Sequence, residues 1–256
     1  MKLVVKIGGT LLDAGESRRR LAREVAAAVR AGHQIVVVHG GGRQMTRFLS
    51  QSGVESRFID GLRVTTPEVI DAVLKVLAGS VNKQLTAAMI EAGAQAVGLS
   101  GVDGCLVEAE LLRPELGQVG RPVRSNGALL DCLVGAGYLP VVACVAGDKA
   151  GRIYNVNADQ MAVACAGGFG AECLIFLTDV EGVLGQDQQP LPSLSLTESE
   201  DLIRRGLATG GMQAKLNAAG AALRGGIRQV VIAPGSAENG IERLLAGEAL
   251  GTRLTP

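Results

Sequence analysis

A doubly wound α/β fold, a mainly parallel sheet between two layers of helices, is predicted by three observations on this chain. Short, unbroken apolar runs alternate with longer segments of helical period, the pattern of strands buried on both faces and joined by crossover helices. Its glycines, 36 of 256 residues, follow no fixed period and gather just after the apolar runs, where such sheets bind ligands. A hydrophobic content of 47% and a mean hydropathy of +0.28 supply a substantial core and exclude a disordered chain.

Taken in order, strands are expected at 3–7 (LVVKI), 34–39 (QIVVVH), 95–99 (QAVGL), 139–145 (LPVVACV), 173–178 (CLIFLT) and 229–233 (QVVIA). The first helix follows from ESRRRLAREVAAAVRAG, where Leu21, Val25 and Val29 recur at helical spacing and Gly32 supplies a stop. TPEVIDAVLKVLAG opens with Thr66 as a cap and Pro67 in the first turn, then repeats Val69, Ile70, Val73, Leu74 and Leu77. Further helices are expected over 80–92, 126–136, 157–169, 198–206, 212–224 and 239–247. Residues 103–124 break the rhythm with scattered Gly and Pro and read as a β-hairpin excursion, and 185–195 (GQDQQPLPSLS) as a surface loop. Neither is a linker, so the expectation is one continuous sheet in two lobes.

Twenty-five basic and 25 acidic residues, with a pI near 6.7, leave no surplus to hold nucleic acid or an anionic membrane. With four Phe, two Tyr and no Trp, stacking platforms for bases are not expected. The five cysteines (Cys105, Cys132, Cys144, Cys165, Cys173) show no C-x-x-C spacing, several sit in apolar runs, and they read as reduced core thiols. Two histidines, His33 and His39, are too few for a His-rich metal centre. Lys2 is followed by only three apolar residues before Lys6, which is not a signal peptide pattern, and no apolar stretch approaches the roughly 20 residues of a membrane span. A cytoplasmic protein is expected.

Several motifs carry chemistry. LVVKIGGT places Lys6 last but one in the first strand, on the face of Val4, with Leu3, Val5 and Ile7 opposite. A buried lysine is costly unless it meets an anion; alone, Lys6 fits either a ligand-facing ammonium or a lysine snorkelling at a sheet edge. In VVVHGGGRQM a strand empties through Gly40–Gly42 into a helix, so bare N–H groups and a helix N-terminus face one point. One glycine would serve a tight turn; three favour an anion cradle. There is neither a Walker A string nor a strand-linked G-x-G-x-x-G, so phosphate would be handled by another architecture. GLRVTTPEV sets Arg63 just before a helix cap, able to grip a carboxylate in a bidentate manner, although most arginines do nothing so specific. In RIYNVNADQMA, Asn155, Asn157 and Asp159 alternate at a helix start, more polar groups than capping alone requires. TDVEGVLG puts Thr178 and Asp179 at a strand's carboxyl end, and ATGGMQAKLNAA offers two glycines before a helix with Lys215 about one turn in.

Together KIGG, VVVHGGG, GLRVT, LAGSVNK, GYLPVV, NVNADQ, TDVEGVL and GGMQAKLNAA, in this order from residue 3 to about 253, resemble the amino-acid kinase family. The similarity is greatest to the branch that acts on N-acetyl-L-glutamate in arginine biosynthesis. The resemblance implies a single domain over 1–256 with the carbamate-kinase type of sheet, a substrate lobe at 1–170 and an ATP-binding lobe at 171–256. It implies transfer of a phosphoryl group from ATP to the side-chain carboxylate, giving an acyl phosphate and ADP. Lys6 and Lys215 would neutralise the group in flight and Asp159 would hold both lysines. Gly9, Gly41 and Gly42 would offer N–H groups to the phosphates and the reacting carboxylate, and Arg63 and Asn155, with Asn157 nearby, would hold the α-carboxylate. Thr178, Asp179, Gly182, Val183, Leu184, Thr209, Gly211 and Met212 would line the nucleotide site. Mg²⁺ would be held mainly by nucleotide phosphates and water, with no dedicated carboxylate cage.

The physical case fits this chemistry. A carboxylate approaching a triphosphate brings two anions together, and unit charges about 4 Å apart at an effective dielectric near 20 repel by about 4 kcal/mol. Positioning and positive charge then carry most of the rate. Arginine-inhibited members of the family carry an extra N-terminal helix that links dimers into a hexamer; with the first strand at residue 3, an arginine-insensitive homodimer is expected. The alternatives are a sibling kinase for an N-acyl-aminoadipate, one methylene longer, or a non-catalytic nucleotide or amino-acid sensor on the same fold.

Overall fold

The computed structural model covers residues 1–256 and starts with β1 (Lys2–Ile7), an aliphatic strand buried along all but its first residue. A 3₁₀ turn, Gly9–Leu12, leads to α1 (Gly15–Arg30), which buries Leu21, Val25 and neighbouring alanines on one face. β2 (Gln34–His39) runs through the glycines into α2 (Gly42–Gln51), which has no capping side chain. A small hairpin, β3 (Phe58–Ile59) and β4 (Leu62–Arg63), turns through Asp60 and Gly61, both at positive φ. Thr66 caps α3 (Pro67–Val73), its hydroxyl accepting from the Val69 N–H at 3.3 Å. The helix widens into a π segment over Leu74–Val81 and continues as α4 (Asn82–Glu91). There follow β5 (Ala96–Ser100), β6 (Val107–Leu111), β7 (Val119–Ser125), α5 (Gly127–Gly135), β8 (Leu139–Ala143), β9 (Val145–Gly147), β10 (Ile153–Val156) and α6 (Ala158–Phe169). The rest comprises β11 (Cys173–Thr178), β12 (Ser193–Ser195), α7 (Leu196–Arg204), α8 (Gly210–Arg224), β13 (Gln229–Pro234), α9 (Gly240–Leu245) and β14 (Thr252–Thr255).

Eight strands form the main sheet in the order β12-β14-β13-β11-β1-β2-β8-β5, parallel throughout except for the β13–β14 pair. From β1 the chain first builds outwards through β2 towards β5 and β8. It then returns by α6 to place β11 on the other side of β1. The order therefore reverses at β1, and the carboxyl ends of β1 and β11 flank the resulting crevice. One core of 68 buried residues runs from Leu3 to Leu254, so both wings of the sheet share it. No helix is long and apolar enough to cross a membrane.

The sheet is not the whole of the β structure. The hairpin expected at 103–124 is present as antiparallel β6–β7, but it closes with β9 and β10 into a separate four-stranded barrel. The run 139–145 accordingly splits at Cys144: β8 belongs to the sheet and β9 to the barrel. The last residues of the expected loop at 185–195 pair as edge strand β12 with β14, and a capping box of Ser195 and Glu198 starts α7 two residues before the expected boundary. Not all the cysteines are core thiols: Cys144, Cys165 and Cys173 are buried, whereas Cys105, on a second 3₁₀ turn at Asp103–Cys105, and Cys132, on α5, are exposed.

Helix α5 approaches α6 so closely that a Cβ at Gly127 would overlap the Gly168 carbonyl oxygen, whereas Gly135 faces open space. The variant G127A should lose about 1–3 kcal/mol of stability, because backbone has to move. G135A, in the same helix, should gain up to about 1 kcal/mol from propensity. Denaturant midpoints of the two variants check the contrast; equal midpoints would contradict the close crossing.

Candidate active site

At the carboxyl end of β1 the side chain of Lys6 points to the α6 side of the sheet and is buried, 7% exposed. Asp159, in the first turn of α6, is 6% exposed and lies with Oδ1 at 2.7 Å from the Lys6 Nζ. The two are close but out of line for a hydrogen bond. The Lys215 Nζ, from α8, stands 4.0 Å from Asp159 Oδ2. One carboxylate therefore faces two ammonium groups, one on each oxygen, and the gap between them carries an excess of positive charge. The α6 N-terminus favours a carboxylate here. Asn157 fixes the turn, its Oδ1 accepting from the N–H groups of Asp159 (2.9 Å) and Gln160 (3.3 Å).

Two glycine loops meet beside Lys6. A Cβ at Gly9 would sit 3.0–3.1 Å from the amide nitrogens of Gly41 and Gly42, so only bare backbone allows the approach. Gln44 ties the loops together, its Nε2 donating to the Gly9 carbonyl at 3.2 Å. Behind them His39, at the end of β2, is fully buried. Its Nδ1 lies 3.0 Å from the Gly40 carbonyl oxygen and its Nε2 3.0 Å from the Asn82 Nδ2. Burial pulls its pKa down to about 4, the nearby Lys83 charge adding to the shift and the Gly40 bond opposing it.

A cavity of about 240 Å³ opens from these loops, lined among others by Lys6, Gly41, Gly42, Arg63, Cys144 and Asn155. That is below the usual range for drug-sized ligands and suits a small acid. Arg63 is buried. Its guanidinium donates to Ser56 Oγ, to Thr46 Oγ1 at 2.8 Å and to the Gly42 carbonyl at 3.2 Å, and it packs 4.7 Å from the Phe58 ring centroid. Burial lowers its pKa from the usual guanidinium value. Those oxygens are uncharged, so a carboxylate entering the cavity would meet a desolvated cation. Asn155, on β10 of the barrel, is oriented by its bond to Thr65 Oγ1 at 3.0 Å. Cys144 lines the cavity as a thiol: burial raises its pKa to about 11 despite the Lys6 ammonium, so it is no nucleophile at neutral pH.

The residues expected at a nucleotide site are more scattered. Thr178 is buried at the end of β11, donating to Asp179 Oδ1 at 3.3 Å, and Gly9 lies across the neighbouring strand end. Asp179 and Leu184 are exposed, as are Thr209 and Gly211 at the start of α8, with Met212 half-buried beside them. Val183 is turned into the core, its N–H donating to Thr252 Oγ1 at 2.8 Å, and Gly182 packs against the same threonine. None of these residues except Gly9 lines the cavity beside Lys6. No group of three or more His, Cys, Asp or Glu side chains is close enough to hold a metal ion. Sequence reasoning passed over His39, Asn82 and Gln44. The histidine ending a buried strand directly before three glycines was an available signal; Asn82 and Gln44 gave none.

The model of the Amino acid kinase family matches residues 1–234. "Acetylglutamate kinase" of Solibacter usitatus is 62% identical over 254 residues, covering 99% of both chains. "Acetylglutamate kinase" of Acidobacterium capsulatum is 45% identical over 93% of this chain and 92% of that one. Among solved structures, N-acetylglutamate synthase from Neisseria gonorrhoeae, complexed with coenzyme A and N-acetyl-glutamate, superposes with a TM-score of 0.88 at 25% identity. The match takes in 100% of this chain and 59% of that one. This chain belongs to the amino acid kinase family, a family of phosphotransferases, and has its fold.

The buried imidazole has a measurable consequence. Folded His39 titrates near 4 and unfolded histidine near 6.5, so between these values the unfolded chain binds the extra proton. This contribution is fully present above about pH 6.5 and falls away towards pH 4, by about 3 kcal/mol in all. Denaturant unfolding of the native chain and of His39→Asn should give a stability difference that shrinks by that order from pH 7.5 to 4.5. A difference independent of pH would show that His39 is not held neutral.

Proposed function

We propose that this chain phosphorylates the side-chain carboxylate of N-acetyl-L-glutamate with ATP, as a step of arginine biosynthesis. The observation that carries the reading is the convergence of Lys6 and Lys215 on Asp159 beside the glycine amides. It occurs in a chain 62% identical to a relative named for that reaction. The part of the chain up to about residue 170 takes the acid, and every residue lining the small cavity comes from it. The remainder takes MgATP, in which magnesium is part of the substrate, held by phosphate oxygens and water. On the protein side, the nucleotide contacts fall to the strand end at Thr178–Leu184 and to Thr209, Gly211 and Met212.

In this mechanism Arg63 and Asn155 hold the α-carboxylate and so aim the side-chain carboxylate at the gap. An oxygen of that carboxylate attacks the γ-phosphorus, the bond to the β-phosphate oxygen breaks, and ADP leaves with the electron pair; no proton is transferred. Negative charge spreads over the migrating group, and the stabilisation required is electrostatic. Lys6 and Lys215 supply it from opposite sides, Asp159 keeps both amines aimed, and the N–H groups of Gly9, Gly41 and Gly42 add fixed dipoles. A homodimer in the cytoplasm belongs to the same reading: the sheet ends on the half-exposed strand β5, and Ile90 and Tyr138 stand exposed near that edge.

Incubation with MgATP, hydroxylamine and a panel of N-acyl acids should yield the hydroxamate with acetylglutamate; colour only with the aminoadipate analogue, or none at all, would reject the assignment. K6M and K215M should each lower kcat at least about 100-fold with smaller effects on KM. R63Q should instead raise KM for the acid about 10-fold or more. Near-normal turnover in either lysine variant would remove its role.

A further inference from the structure

We propose that His39 is a positioning residue of the phosphoryl site, whose Nδ1–H fixes the Gly40 carbonyl and thereby turns the Gly41 N–H toward the gap beside Lys6. The inference rests on the phosphoryl-transfer reading above and gives one member of the glycine cradle its direction.

The hydrogen bonds assign the imidazole tautomer. The Gly40 carbonyl oxygen, 3.0 Å from Nδ1, can only accept, so Nδ1 carries the proton. In the neutral ring Nε2 is then an acceptor, facing the Asn82 Nδ2 at 3.0 Å, a nitrogen that also reaches the carbonyls of Val141 at 2.9 Å and Leu99 at 3.3 Å. Both side chains are completely buried, and a Cβ at Gly98 would overlap Asn82 Oδ1, so the pair is held from behind by β5. A planar trans peptide points its C=O and the following N–H in opposite directions. With the Gly40 carbonyl turned back to the ring, the Gly41 N–H is directed away from it.

On that other side stand the second glycine loop and Lys6. The Gly41 and Gly42 nitrogens lie against Gly9, and all three glycines line the cavity that Lys6 also lines. The Gly41 N–H donates to no atom of the chain, although Gly41 is buried. Buried backbone donors are nearly always paired, so this one is a donor kept for a ligand. A Cβ at Gly41 would overlap a Leu77 methyl of the π segment, which closes the loop's route of escape. His39 touches neither substrate nor the reacting atoms; it acts through the peptide plane it holds.

The test uses the two amides that imitate the two ring nitrogens. Asn at position 39 keeps a donor near Nδ1, whereas Gln keeps an acceptor near Nε2 and loses the donor. In the hydroxamate assay kcat of H39N should exceed that of H39Q by about 10-fold or more, with KM for MgATP and for the acid alike in the two. The reverse order, or equal kcat values, overturns the proposal. A purely structural role would move melting temperature without separating the two kcat values. Independently of activity, ¹⁵N-histidine labelling of the native chain, which has only two histidines, reads the tautomer. His39 should carry its proton on Nδ1 and not titrate between about pH 6 and 8; a proton on Nε2 sinks the idea even where H39Q fails to fold. If the native chain turns over no N-acyl acid, the phosphoryl-transfer reading fails while the tautomer result stands.

Discussion

A buried amine and a half-buried one that face one gap repel each other, and each is costly to remove from water without a counter-charge. Asp159 meets both demands with a single carboxylate, near contact with Lys6 on one oxygen and longer range to Lys215 on the other. Most of the architecture serves to hold that arrangement. β1 must stand at the centre of the sheet to carry Lys6 to the crevice. α6 must begin at the same level for its first turn to present Asp159, and α8 must pack beside α6 to bring Lys215 across. The pairing is not a stability device, since a buried ion pair of this kind roughly breaks even against an apolar contact. What it supplies is aim, together with a surplus of positive charge suited to an incoming anion.

The neighbouring features divide the remaining work by chemical type. Backbone amides of the two glycine loops offer fixed dipoles at no side-chain entropy, and their approach depends on the absence of Cβ atoms at Gly9 and Gly41. Arg63, surrounded by neutral oxygens and an aromatic face, offers a desolvated cation at a distance from the lysines. The barrel strand β10 delivers Asn155 to the cavity, and only two residues later Asn157 caps the helix that bears Asp159. The acid site and the charge site are thus joined through a very short stretch of rigid backbone.

Much of this was legible in the sequence, for definite reasons. The parallel strands announce themselves as unbroken apolar runs, and the crevice follows from glycines at their ends, so Gly41 and Gly42 were singled out by position, whereas Lys6 by position alone fitted a snorkelling lysine equally well. Arg63, Asn155 and Lys215 were weak signals singly and gained force from the resemblance of the motifs as a set. The barrel was not legible, because its strands are short and split an apolar run between two sheets at Cys144. The β3–β4 hairpin had its signal, Asp60–Gly61, but its strands are too short for alternation to register. Asn157 makes both helix bonds of a cap and also lines the cavity beside Lys6. The His39–Asn82 contact joins the end of a strand to a helix far along the chain, and no local pattern encodes it.

The place of β1 in the sheet also bears on how the chain acquires its shape as it is made. β1 is made before its neighbours and finds β2 soon afterwards, but its other neighbour, β11, is translated only after all the elements from β2 to α6. Until then its second edge is an open row of backbone donors and acceptors. Closure of that edge and the meeting of Lys6 with Asp159 are therefore late, long-range events, of the kind that slow folding and expose nascent chains to mispairing. Fragments that end before β11 lack both the central hydrogen-bond ladder and the means of forming the crevice, so an incomplete translation product is an edge-exposed chain with no share in the chemistry.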